Sequence, residues 1–176
     1  ENEVLKATIS SKGGMISSVE LKNYERYGKE GNLVLFGGDS TKFALQLNLY
    51  DRSRIFTTDE FFFKPVRRTD SSIVMRLQTS RPGSYIEFEY ALSAKDYMVD
   101  ASLNMVGMES VISQTEDQLQ LYWSMLYPGQ EKNIEKEKEK ELTEKKLSFF
   151  ILKVGSRVKF ITLQTIFFPK IPEYFV

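Results

Sequence analysis

Cysteine and histidine are both missing from the chain, and each absence closes off chemistry. Without cysteine there is no disulfide, no thiolate nucleophile and no cysteine-ligated metal, although the compartment stays open because many exported bacterial domains also lack it. Without histidine the usual general base, the commonest metal ligand and the best nucleophile-activating pairs are gone. Net charge is missing too. Lys+Arg and Asp+Glu both number 24, so no overall field would draw in nucleic acid or an anionic membrane, and neither is an expected partner. No run of about 18 apolar residues occurs, so no segment is expected to span a bilayer or to serve as a signal peptide. The chain opens at Glu1 inside a strand-like pattern, and the expectation is a piece of a longer precursor whose targeting segment lies upstream.

What is present is a repeating period of two. The stretch Val4 to Tyr24 has the form of two strands joined by a turn. Leu5, Ala7 and Ile9 alternate with Lys6 and Thr8, Gly13-Gly14 supplies the positive φ of a tight turn, and Val19 and Leu21 alternate with Ser18 and Glu20. Leu33 to Phe36 reads as a short strand between loops. Phe43 to Tyr50 follows, with Phe43, Leu45, Leu47 and Leu49 on one face and Ala44, Gln46, Asn48 and Tyr50 on the other. Phe61-Phe62-Phe63 is expected at a strand end, ahead of Lys64-Pro65. Ser72 to Thr79 and Ser84 to Leu92 form a second hairpin through Ser80-Arg81-Pro82-Gly83. Tyr97 to Val106 and Leu119 to Met125 continue the alternation, the latter placing Leu119, Leu121, Trp123 and Met125 on one face.

The composition changes at Tyr127-Pro128-Gly129. Residues 130–147 form a charged connecting segment of near-alternating Glu and Lys with Ile134 and Leu142 as its main apolar points. It is either a solvated helix, held by Glu/Lys pairs worth roughly 0.2 to 0.5 kcal/mol each, or a loop, and a plain connection is the preferred reading. Strand patterning resumes at Ser148 to Val154 and again from Val158 to Phe168. With 176 residues, 41% of them hydrophobic and 13% aromatic, the chain has material for one domain with a substantial core. The fold expected over residues 1–176 is therefore a single all-β domain of antiparallel strands.

Chemistry is scarce. Glu87 and Glu89 share a strand face roughly 7 Å apart, within the range of paired carboxylates around a sugar bond, but their alternation with Ile86, Phe88 and Tyr90 is that of a solvent-facing strand. Asp51, Asp96 and Asp100 have no metal-loop spacing, and neither a phosphate-binding glycine loop nor G-x-S-x-G occurs. Arg52, Arg54, Arg67 and Arg68 interleave with Tyr50, Phe56 and the phenylalanine triplet, a weak nucleic-acid signal in a neutral chain. No catalytic, metal or cofactor residues are assigned, and no cofactor is expected. Phe61, Phe62, Phe63 and Trp123 are the candidate partner contacts. An extended triplet either has both faces buried, the favoured reading, or leaves a ring for a partner, and Trp123 is expected in the core.

Several of these segments resemble the large periplasmic domain of the YidC membrane protein insertase family. Lys12-Gly13-Gly14 is followed by Ser18-Val19-Glu20-Leu21-Lys22-Asn23-Tyr24; Leu33 to Phe36 precedes Gly38-Asp39-Ser40 and Phe43; Pro128, Gln130, Glu131 and Lys132 form a loop motif; and Val158-Lys159-Phe160 leads to Phe167-Phe168. The resemblance is strongest over residues 1–130. It implies a two-layer antiparallel β-supersandwich like galactose mutarotase, in a single periplasmic domain that is either intact or truncated at its C-terminus. It further implies a non-catalytic module of an inner-membrane protein, anchored by segments outside this chain and assisting insertion and folding of membrane proteins. Its implied partners are Sec translocon components and client membrane proteins, held by an edge strand or an aromatic cleft. The alternative is a carbohydrate-binding module or sugar-active protein on the same kind of sandwich, although ring-opening at a sugar usually employs a histidine.

Overall fold

The computed structural model describes residues 1–26, 30–37, 41–49, 55–109, 111–112, 118–125, 145–150 and 158–160. Twelve strands are described: β1 (Leu5–Ile9), β2 (Ile16–Glu25), β3 (Asn32–Phe36), β4 (Thr41–Asn48), β5 (Ile55–Thr57), β6 (Lys64–Arg68), β7 (Ser72–Gln78), β8 (Tyr85–Leu92), β9 (Val99–Val106), β10 (Gln118–Met125), β11 (Lys145–Phe150) and β12 (Val158–Phe160). One 3-10 turn, Thr58–Glu60, sits between β5 and β6. All described pairings are antiparallel. They form a three-stranded sheet β1-β2-β3, a four-stranded sheet β11-β10-β4-β5 and a five-stranded sheet β12-β9-β8-β7-β6. The all-β expectation is met.

The alternation of apolar residues explains how the sheets stack. Phe43 on β4 meets Phe88 on β8 edge-to-face with centroids 5.3 Å apart, so the four- and five-stranded sheets face each other across a shared core. Trp123 on β10 closes on Phe43 at 5.6 Å, and Phe63 stacks on Phe88 at 5.2 Å. The three-stranded sheet adds Leu5, Val19, Leu21 and Phe36 to the same cluster. Burying each such side chain stabilises the fold by about 1.5–3 kcal/mol, which is why the strands hold their register: a one-residue slip would turn these side chains to water.

The opening hairpin forms as its pattern requires. Gly13 and Gly14 take φ of 75° and 63°, and Leu5 pairs with Leu21 while Ala7 pairs with Val19. The second hairpin pairs Ser72 with Ala91 through Gln78 with Tyr85.

Elsewhere the structure departs from the expectation. Ala44, assigned to the wet face of β4, is buried although Lys42 on the same face is exposed and Gln46 and Asn48 are half-buried, because its small side chain sits directly opposite Tyr122 on the neighbouring β10. Pro65 does not stop a strand but lies within β6, at the outer edge of the five-stranded sheet and beside a bulge, the two settings in which strands tolerate proline. The triplet occupies the connection ahead of β6 rather than a strand end. β11 begins at Lys145, inside the charged segment, because Lys145 and Lys146 pair with Trp123 and Tyr122. The remainder of that segment, residues 130–144, and the strand pattern after Phe160 lie outside the described residues.

Candidate functional site

The turn of the opening hairpin and the segment Phe61-Phe62-Phe63 are built into one another. Gly13 N–H donates to the Phe61 carbonyl at 2.8 Å, Phe63 N–H donates to the Ser11 carbonyl at 2.7 Å, and Lys12 and Phe62 face each other in a single β-bridge. Phe61 N–H also donates back to the Thr58 carbonyl at 3.2 Å, closing the 3-10 turn. From the inner side the buried Tyr90 hydroxyl donates to the Gly14 carbonyl at 2.9 Å. Loss of water around that phenol pushes its pKa up.

This backbone lattice decides where each ring of the triplet goes. Phe63 turns into the core, fully covered between Gly14 and Phe88. Phe61 is half-buried against Phe56, with centroids 6.1 Å apart. Phe62, on the opposite side of the extended chain, is 69% exposed. The favoured expectation, burial of the whole triplet, is therefore corrected: two rings pack, and one stands in solvent. Trp123 is 8% exposed and belongs to the core, as expected for its place on an apolar face. Of the four candidate contacts, Phe62 and part of Phe61 are accessible in the folded domain.

Glu87 and Glu89 are each held by an arginine. Arg76 Nε and Nη2 donate to one Glu87 oxygen at 2.8 and 2.7 Å, and Asn104 donates to the other at 3.1 Å. Arg67 donates to Glu89 at 2.5 Å, and the Arg76 guanidinium also lies 4.0 Å over the Tyr85 ring. Such paired carboxylates brace neighbouring strands instead of waiting for a substrate. Among the described residues no group of three acidic side chains is placed to hold a metal ion, and no helix is long and apolar enough to cross a membrane.

The structure adds a feature that sequence reading did not locate. A cleft of about 920 Å³ opens between β1 and the five-stranded sheet. Ala7 and Ile9 lie on one side, Arg68 on the other, and Ile73, Tyr90 and Leu92 contribute to its lining. These residues come from segments some sixty positions or more apart, roughly the β1-to-β6 distance along the chain, so no local pattern announces the cleft.

Residues 1–155 match the family described as YidC periplasmic domain. The chain is 35% identical over 133 residues to the membrane protein insertase YidC of Parabacteroides distasonis, which covers 75% of this chain and 20% of that protein. It is 32% identical over 124 residues to the YidC of Bacteroides fragilis (70% and 19%), and 35% identical over 126 residues to that of Porphyromonas gingivalis (71% and 20%). The chain thus spans about a fifth of the length of the curated relatives it matches. No solved structure matches significantly. An all-β antiparallel domain matched over residues 1–155 in this way belongs to the YidC periplasmic domain family.

Proposed function

We propose that this chain is the non-catalytic periplasmic module of a membrane-embedded insertase. In this reading segments outside the chain anchor it to the inner membrane. The module assists insertion and folding by holding other polypeptides, both client membrane proteins and Sec translocon components. Phe62 is the central contact. A ring 69% exposed, on backbone pinned by the Lys12 bridge and the hydrogen bonds around it, is the observation that carries this assignment. A pre-set aromatic can bury its area against a partner without first being ordered, so little of the contact energy is lost to conformational entropy.

The test is a photo-crosslinking amino acid at position 62 of the full-length protein in cells, with the same probe at the exposed Asp100 for comparison. The expected result is a crosslink from position 62 to a nascent inner-membrane protein or a Sec subunit. Equal yields from the two positions, or none from 62, would overturn the contact. The wider assignment has its own check: the full gene should encode a membrane-spanning segment before Glu1 and several after Val176. A gene without them, or saturable binding of the purified domain to a panel of sugars, would favour the carbohydrate reading.

A further inference from the structure

We infer that the outer edge of β1 is a docking site for an extended segment of another polypeptide, which adds to the three-stranded sheet as a fourth strand within the cleft. The proposal rests on the backbone of β1 and is independent of Phe62.

In an antiparallel ladder, alternate residues point their N–H and C=O groups to alternate sides. Lys22 N–H donates to the Val4 carbonyl at 2.9 Å, and Ser10 N–H donates to the Met15 carbonyl at 2.8 Å. Val4, Lys6, Thr8 and Ser10 therefore face β2, while Leu5, Ala7 and Ile9 face away from it. Leu5 is closed off: its N–H donates to the Asn2 side chain at 2.7 Å and its carbonyl accepts from the Asn2 N–H at 2.9 Å. Ala7 and Ile9 meet no strand on that side among the described residues, since β1 ends its sheet, and both line the cleft. Two donors and two acceptors thus stand in a row at the spacing of a strand.

Two of the other described edges, β6 and β5, are treated differently. β6 carries Pro65, a bulge at Val66 where the register shifts between Pro65 and Arg67, and the charges of Lys64, Arg67 and Arg68. These are devices that discourage strand addition. β5 has three residues, too few to template a partner. β1 has no proline, and the one register shift in its pairing leaves the extra residue, Ser17, on β2.

The lining of the cleft selects the occupant. Ile73 and Leu92 offer apolar contact on the side of the five-stranded sheet, and the rim bears both Arg68 and Asp70. Mixed charge disfavours a uniform polyanion, and a row of alternating donors and acceptors is met in full only by another backbone. An extended segment with apolar side chains at every second position satisfies both.

The probe is a blocked peptide of alternating valine and threonine flanked by lysines, titrated into the domain while backbone amides are followed by NMR. The Ala7 and Ile9 amides should shift and exchange more slowly, and Ala7→Pro should weaken binding by about tenfold or more, the worth of one ladder bond or two. That substitution removes an N–H that β2 does not use, so far-ultraviolet circular dichroism should be unchanged. Should the variant not fold, a peptide N-methylated along its centre decides the matter on the native protein, because it keeps the side chains and loses the ladder. Equal binding of the methylated peptide, no response at Ala7 and Ile9, or protection of those amides by the domain's own self-association would each overturn the proposal.

Discussion

Replacing Gly14 by alanine should destabilise the domain by about 2–5 kcal/mol, the sum of two separable penalties. The first is conformational: φ at Gly14 is +63°, and an L-residue in the left-handed region costs about 1–2 kcal/mol. The second is steric. A Cβ there would lie 2.7 Å from Phe63 Cγ and 2.8 Å from Cδ1, and the ring has nowhere to retreat because it is buried against Phe88. Overpacking of this kind costs about 1–3 kcal/mol. Gly13 provides the internal control, since its φ of +75° carries the first penalty while its added Cβ would find Asp59 Cα at 3.4 Å, an ordinary contact. Urea unfolding of both variants should give similar m-values, with Gly14→Ala the weaker by about 1–3 kcal/mol. In a Phe63→Leu background the extra penalty should largely disappear, as a double-mutant cycle would show. Variants that differ by less than about 0.5 kcal/mol would refute the view that Phe63 is wedged against this turn.

Three further outcomes are expected. Trp123→Ala should cost about 3–5 kcal/mol, because the indole fills core space beside Phe43, and an unchanged melting temperature would contradict its burial. Phe62→Ser should alter stability by no more than about 0.5 kcal/mol while abolishing partner capture, and a large loss of stability would mean the ring is packed. Tyr90→Phe should cost about 1–3 kcal/mol at neutral pH by leaving the Gly14 carbonyl without its donor. The phenol's pKa is raised in the fold, so below the unfolded value near 10 both states keep the proton and the stability tied to it is intact. Above that value the unfolded chain releases the proton and the native state does not. Wild-type stability then falls by about 1.4 kcal/mol per pH unit from this group, and the variant lacks that share. A wild-type-to-variant gap that stays constant from neutral into strongly alkaline solution would refute it.

The strands were legible where one face is wet and the other dry. Phe43, Leu45 and Leu47 on β4, or Ile86, Phe88 and Tyr90 on β8, announce themselves because polar and apolar residues alternate between core and water. β6 was not legible: all five of its residues are exposed, so Lys64-Pro65-Val66-Arg67-Arg68 carries no burial signal and is a strand only because β7 offers it a ladder. β11 was obscured in the same way, its first lysines being indistinguishable from the charged run before them. The triplet could be reduced to two options from its period, but choosing between them required knowing that the first hairpin turn sits on it, a contact between residues about fifty positions apart in sequence. The cleft was beyond reach for the same reason.

The surface and the core of this domain meet at that turn, and this gives the exposed ring a meaning that exposure alone would not. A single phenylalanine in solvent is common on protein surfaces and by itself indicates nothing. Phe62 differs because its two neighbours are used up in fixing it: Phe63 is locked beneath Gly14, Phe61 rests on Phe56, and the Ser11 carbonyl and Gly13 N–H bind the backbone on both sides. In the proposed contact role, this lattice, with its two left-handed glycines and buried tyrosine hydroxyl, holds the backbone of the ring in place before a partner arrives. The lattice also couples the two sites, since Tyr90 both anchors Gly14 and contributes to the lining of the cleft beside β1. A segment seated on the β1 edge would therefore lie beside the residue whose buried hydroxyl steadies the Phe62 turn. Peptide binding should accordingly slow amide exchange at Gly13 and Phe63 as well as at Ala7 and Ile9, and Tyr90→Phe should uncouple the first pair from the second.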